Sequence, residues 1–184
     1  TARVMANRIW LWHFGEGIVR TPDNFGKLGL RPTHPKLLDW LTMRFVDNGW
    51  SIKKMHRLIM LSATYQMSSG HNAASARIDP ENRLQWRASV RRLEAEAIRD
   101  SVLAVSGRLD RTMGGSLLHV KNREFFFDHT SKDLTTYDSR RRSIYLPVVR
   151  NNVYDLFQLL DFPDPAVTTG DRATTVVASQ ALLM

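Results

Sequence analysis

The chain has 184 residues, and its 26 Lys plus Arg against 18 Asp plus Glu give a formal charge of +8. Apolar residues at 43% with 24% charged describe a globular protein rather than a disordered one, and no apolar run approaches the ~20 residues of a membrane-spanning helix. Cysteine is absent, which excludes disulfides, thiolate metal ligands, a Cys nucleophile and covalent haem attachment within this chain, and leaves the redox compartment open.

The first helix is predicted from Ala2 to Phe14, with Met5, Ile9 and Trp12 as its apolar stripe and Arg3, Asn7 and Arg8 on the wetter side. Gly15 stands where a helix-stopping glycine belongs. A Gly-rich loop follows to Arg31. Thr33 is read as the cap of a second helix, which carries Leu37, Leu38, Leu41 and Phe45 at helical spacing and stops at Asn48-Gly49. Ser51 opens a third helix running to about Met67, with Trp50 and Met55 placed for a hydrophobic staple. Leu58 to Leu61 is apolar all round, so this helix is expected to lie centrally.

Residues 68–79 turn to Ser, Asn, Gly and Ala and are read as a loop, and Asp79-Pro80 as a turn. The strongest helical pattern is Val90 to Ser106, with Leu93, Ala97, Ile98, Val102 and Val105 inward and Arg92 and Glu96 offsetting each other outside. Residues 110–142 are expected to be irregular, with room for a small hairpin. Ser143 to Val149 favours an extended edge strand because of Pro147. A short helix over Asn152–Leu160, a Pro-stiffened loop and a last helix from Thr174 or Thr175 complete the chain. That last apolar pattern reaches Met184 without a cap, which suggests a fragment of a longer multidomain protein.

Chemistry-bearing patterns are sparse. The six His residues show neither H-E-x-x-H nor helical di-iron spacing. His13 and His56 fall on or near apolar helix faces and read as core histidines hydrogen-bonded to a neighbour. Glu94 and Glu96, two apart on a helix, are predicted to diverge and so to share no substrate. Asp161 and Asp164 sit on the Pro-stiffened loop, placed either to hold a cation or sugar or to accept local backbone hydrogen bonds. No nucleophile elbow, Walker loop or dinucleotide fingerprint is present. Helices two and three superficially resemble a helix-turn-helix, but an all-round apolar third helix suits a buried hairpin better than a groove-reading one. Most Arg residues alternate with acids, as in Arg91-Arg92-Leu93-Glu94-Ala95-Glu96, and are read as structural or interdomain ion-pair partners. The Arg140–Arg142 cluster is left over.

Asn7-Arg8-Ile9-Trp10, His13-Phe14-Gly15-Glu16-Gly17-Ile18-Val19 and Thr21-Pro22-Asp23-Asn24-Phe25-Gly26 together resemble the opening of a planctomycete-specific C-terminal domain, domain of unknown function fifteen-fifty-three. Pro32-Thr33-His34-Pro35, Asp79-Pro80-Glu81-Asn82, Arg91 to Asp100, Arg141-Arg142-Ser143-Ile144-Tyr145 and Phe162-Pro163-Asp164 extend the likeness over nearly the whole chain. The resemblance implies an exported, periplasmic or surface protein with cytochrome-c-type segments elsewhere, so that haem c belongs to another domain and no cofactor to this one. It carries no activity.

The expected architecture is therefore a mainly α, multi-helix orthogonal domain, single over 1–184, with a minor β hairpin or edge strand near 143–149. The leading function is a non-catalytic docking module packing against neighbouring domains of the same polypeptide. The alternative is binding or processing of acidic surface polysaccharide through loop residues Arg20, Asp23, Asn24, His34, Arg142, Asp161, Asp164 and Arg172. A basic nucleic-acid-binding domain comes third, and nucleic acid is the disfavoured partner. No metal site is expected.

Overall fold

The computed structural model describes residues 1–118, 136–150 and 152–183. Among them are seven α-helices: α1 Ala2–Phe14, α2 Pro35–Asp47, α3 Ile52–Met60, α4 Ala73–Ile78, α5 Ala95–Val105, α6 Asp155–Leu159 and α7 Ala178–Leu183. The protein is thus mainly helical. It divides into two compact units, Thr1–Arg91 and Arg92–Met184. No helix among the described residues is long and apolar enough to cross a membrane.

In the first unit, α1, α2 and α3 bury one core around Ile9, Trp10, Leu41, Phe45, Met55 and Ile59. Gly15, at φ 86°, ends α1 by donating its N–H to the Leu11 carbonyl. The predicted stripe on α1 is rotated: Trp12 is exposed, whereas Asn7 is 0% exposed. Asn7 is buried because it acts as a surrogate strand. Its amide nitrogen donates to the Val19 carbonyl at 3.0 Å, and its amide oxygen accepts from the Val19 N–H at 2.8 Å. The chain comes close enough for this only at Gly17, where a Cβ would stand 2.6 Å from the Asn7 amide nitrogen and 2.4 Å from the Val19 carbonyl oxygen.

The cap of α2 is His34 rather than Thr33, with Pro35 in the first turn. Thr33 is engaged instead with the Ile18 carbonyl through both N–H and hydroxyl. Ser51 caps α3 as expected, accepting from the Lys54 N–H. The helix stops at Met60 instead of Met67, because the Ser62 hydroxyl donates back to the Ile59 carbonyl at 2.6 Å and draws the chain into a turn. Only Met55 and Ile59 of α3 are buried, and Met60 and Leu61 are exposed, so α3 is one-sided rather than central. Trp50 rests edge-on against Phe45 across the turn. The stretch read as loop contains α4, capped by the Asn72 side chain on the Ser75 N–H.

In the second unit, α5 begins at Ala95, not Val90, with Glu94 extended. Its buried residues are Ala95 and Arg99, while Val102 is 64% exposed and Leu93 and Val105 also face outward. The inward face is thus polar at its centre. Arg99, 6% exposed, donates to the Arg141 carbonyl at 2.9 Å and to the Ser139 carbonyl. The expected strand at 143–149 is instead a turn of 3-10 helix over Ser143–Tyr145, because Asp100 accepts both the Ser143 N–H (2.8 Å) and its hydroxyl (2.6 Å). The β character among the described residues is one isolated bridge between Asp110 and Arg141. Most of the segment expected to hold a hairpin, with His119 and His129, lies outside the described residues. The apolar core here is Ala95, Leu146, Phe157 and Leu160.

Replacing Asn7 with Leu keeps the branched outline of the side chain, at a larger volume, but leaves the buried Val19 N–H and C=O unpaired. Urea unfolding is expected to show a loss of about 3 kcal/mol, with little change in slope.

Candidate functional site

The residues the sequence singled out divide between the two units. In the first, Arg20 is half-buried and pairs with Glu16 four residues before it and with Glu81 at 3.2 Å, adding a bond to the Glu81 carbonyl. Asn24 accepts the Gly26 N–H at 3.0 Å, and its carbonyl accepts the Thr21 hydroxyl, closing a small loop. His34 sits 3.0 Å from the Thr33 hydroxyl, and Asp23 is exposed. None of these four lines the shallow cleft of about 210 Å³ between Arg3, Phe25, Pro35 and Asp39, across which Arg3 and Asp39 pair at 2.5 Å. They are scattered supports of loops and do not converge.

What does converge in this unit is a pair of imidazoles. His13 of α1 and His56 of α3 meet at 2.7 Å, Nε2 to Nδ1, both partly buried. Tyr65 stands edge-on to His13 at 5.4 Å, and Arg91 donates to the Trp12 and His13 carbonyls. The expected core-histidine reading is met in an unexpected form, since each histidine is the other's partner. Burial first, then the His56 and Arg91 charges, hold the His13 pKa below its usual 6.5. Sequence could not have paired them, because 43 residues separate them. Among the described residues no group of three or more His, Asp or Glu is arranged to hold a metal ion.

In the second unit, Asp161 is the centre of a polar knot. Residue 161 takes φ 62°, and its carboxylate accepts the Thr175 N–H (2.8 Å) and hydroxyl (2.7 Å), the Arg92 guanidinium (2.5 Å) and the Gln180 amide (3.2 Å). The two Thr175 bonds, with Arg92 and Gln180 after them, hold its pKa far below the ordinary carboxylate range against the opposing effect of burial. Gln180 is buried and ties the knot to the Leu159 carbonyl and back to Arg92. Arg92, expected to offset Glu96, thus serves Asp161. Glu96 is bound instead by both terminal nitrogens of Arg172, at 2.7 and 2.8 Å. Glu94, extended rather than helical, also reaches Arg172 at 3.5 Å, so the two glutamates predicted to diverge share one cation. The Arg172 guanidinium lies 5.5 Å from the Phe162 ring centre. The Asp164 carboxylate accepts the nearby Ala166 N–H and its carbonyl the Val167 N–H, both local turn bonds.

Arg142 is arranged differently. It lies beside the Tyr145 ring, 5.7 Å from its centre, with Arg141 on the same ring at 4.1 Å. Sequence reasoning missed Arg99, Asn7 and Gln180. A buried polar residue inside an apolar helical pattern was their one visible signal.

The family model described as a protein of unknown function, DUF1553, matches residues 1–184. The chain belongs to this family. No curated protein and no solved structure matches it.

Two measurements follow from this geometry. With the folded pKa of His13 below 6.5, the unfolded chain takes up the proton first, so stability is full above 6.5 and falls as pH drops through that value. Denaturation midpoints at pH 7.5 are expected to exceed those at pH 5, with a smaller difference in His13→Gln. Asp161→Asn removes the charge that Arg92 and Thr175 share, and calorimetry is expected to show a loss of about 2–3 kcal/mol.

Proposed function

We propose that this member of the DUF1553 family is a non-catalytic docking module that packs against neighbouring parts of the same polypeptide. The observation that carries the reading is a division of labour on its surface. Arg20, Asn24, His34, Asp161, Asp164 and Arg172 are all engaged in internal bonds, and so offer little to a glycan. Large apolar side chains are left in water instead. In the first unit Trp40 and Met43 of α2 are 46% and 62% exposed, with Val46, Trp50 and Ile52 following them. In the second, Val102 and Val105 of α5 face outward, as does Leu93 just ahead of the helix. Apolar helix faces of this kind suit a permanent protein partner, where aromatic and Met anchors enter a dry contact.

Nucleic acid fits less well. The third helix has an exposed face, so the all-round apolar argument against groove entry does not hold. That face nonetheless mixes Lys53, Lys54 and Arg57 with exposed Ile52, Met60 and Leu61, which suits a protein better than phosphates. An extracytoplasmic location and haem c on another part of the polypeptide are supported by the family resemblance alone.

Hydrogen exchange on the 184-residue chain, alone and within the longer polypeptide, tests the reading. The amides of α2 and α5 are expected to exchange more slowly in the longer protein, and Met43→Asp is expected to reverse the gain at α2 without lowering the thermal midpoint of the isolated chain. Identical exchange in both settings would sink the proposal, as would turnover of a glycan by the isolated chain.

A further inference from the structure

We propose that Arg141, Arg142 and Tyr145 form a binding site for an oxoanion, the sulfate or phosphate group of an esterified ligand. The site stands apart from the docking reading and uses none of the apolar faces.

Arg141 is fixed in place from below. One of its terminal nitrogens donates to the Thr112 carbonyl at 2.8 Å and to the Gly114 carbonyl at 2.5 Å. The Gly114 N–H in turn donates to the Tyr145 hydroxyl at 3.2 Å, so the ring and the first guanidinium are locked to one turn of backbone. Arg142 brings a second guanidinium to the same ring. Holding two like charges at one aromatic ring is unfavourable unless something offsets them, and the ring quadrupole does so only in part.

Several other arginines are matched by carboxylates. Arg20 has Glu16 and Glu81, Arg92 has Asp161, and Arg172 has Glu96. No carboxylate lies within ion-pair distance of Arg141 or Arg142 among the described residues. The acids nearby are committed: Asp110 accepts the Thr112 N–H and hydroxyl at 2.9 and 2.6 Å, and Asp100 accepts the Ser143 N–H and hydroxyl. Beyond the Tyr145 phenol, the Arg142 guanidinium meets no acceptor among the described residues. The Nε groups of Arg141 and Arg142 are buried without an acceptor, as is that of Arg92, whose terminal nitrogens nonetheless have Asp161 and Gln180. A buried N–H left unpaired is costly, and two guanidinium groups at one ring with no carboxylate partner suit a ligand with several acceptor oxygens. A tetrahedral oxoanion supplies these, and guanidinium groups bind such oxygens in pairs.

Arg142 is the residue to change, since Arg141 also holds the fold. Isothermal titration of the 184-residue chain would use N-acetylglucosamine 6-sulfate, its 6-phosphate counterpart and the unsubstituted sugar. Saturable binding of at least one charged sugar and none of the neutral one is expected, and the two charged arms separate sulfate from phosphate. Arg142→Gln is expected to weaken that binding about ten-fold or more, and Arg142→Lys to weaken it less, by keeping charge without the fork. Arg57→Gln, which removes the same charge from the exposed face of α3, is expected to leave it unchanged. Absence of saturable binding would overturn the proposal. So would an equal loss in Arg57→Gln, which marks diffuse attraction to net charge, or an unaltered affinity in both Arg142 variants. Tighter binding of duplex DNA than of either charged sugar, lost in Arg142→Gln, would move the site to nucleic acid and overturn it too.

Discussion

Irregular backbone enters the interior of both units, and a buried N–H or C=O without a partner costs more than most contacts contribute. In a sheet protein a neighbouring strand would meet that demand. Here side chains meet it. Asn7 pairs with both polar groups of Val19, and Asp79 takes the N–H groups of Arg83 and Leu84. Asn82 holds Arg87, Arg99 collects the carbonyls at 139 and 141, and Asp161 gathers Thr175. The helices supply the apolar cores, and these polar clasps set the course of the chain between them.

The same demand explains the basic composition. Arginine offers five N–H donors on a planar fork and so can satisfy carbonyls and carboxylates together. Arg92 spans Asp161, Gln180 and the Thr175 carbonyl, and Arg99 reaches carbonyls on a distant segment. Much of the +8 charge is therefore structural cement. Arg142 differs from these in that, beyond the Tyr145 phenol, its guanidinium meets no acceptor among the described residues. The His13–His56 pair follows the logic of the clasps, with one ring donating to the other as long as both are not protonated.

Much of the first unit was legible in the sequence. The apolar spacing of α2, the Gly15 stop and the Ser51 cap depend on residues within a turn or two of one another, and local physics decides them. Reading failed where a polar residue broke an apolar pattern. Asn7 was assigned to the wet side of α1 because side-chain type alone suggests water, and its partner lies across a loop. On α5 the valines looked inward by periodicity, yet Arg99 takes the buried face because carbonyls some 40 residues later turn toward it. Most of the candidate site residues hold loops together.

The sequence by itself determined the helical class, the family and the positions of the main helices of the first unit, since propensity, capping and periodicity act over short separations. Only the tertiary structure decided which face of each helix is buried, which arginine meets which carboxylate and which arginine is left with unused donors. Those outcomes depend on the distance between groups remote in the chain, and a hydrogen bond that forms at 2.9 Å has no counterpart in the order of residues.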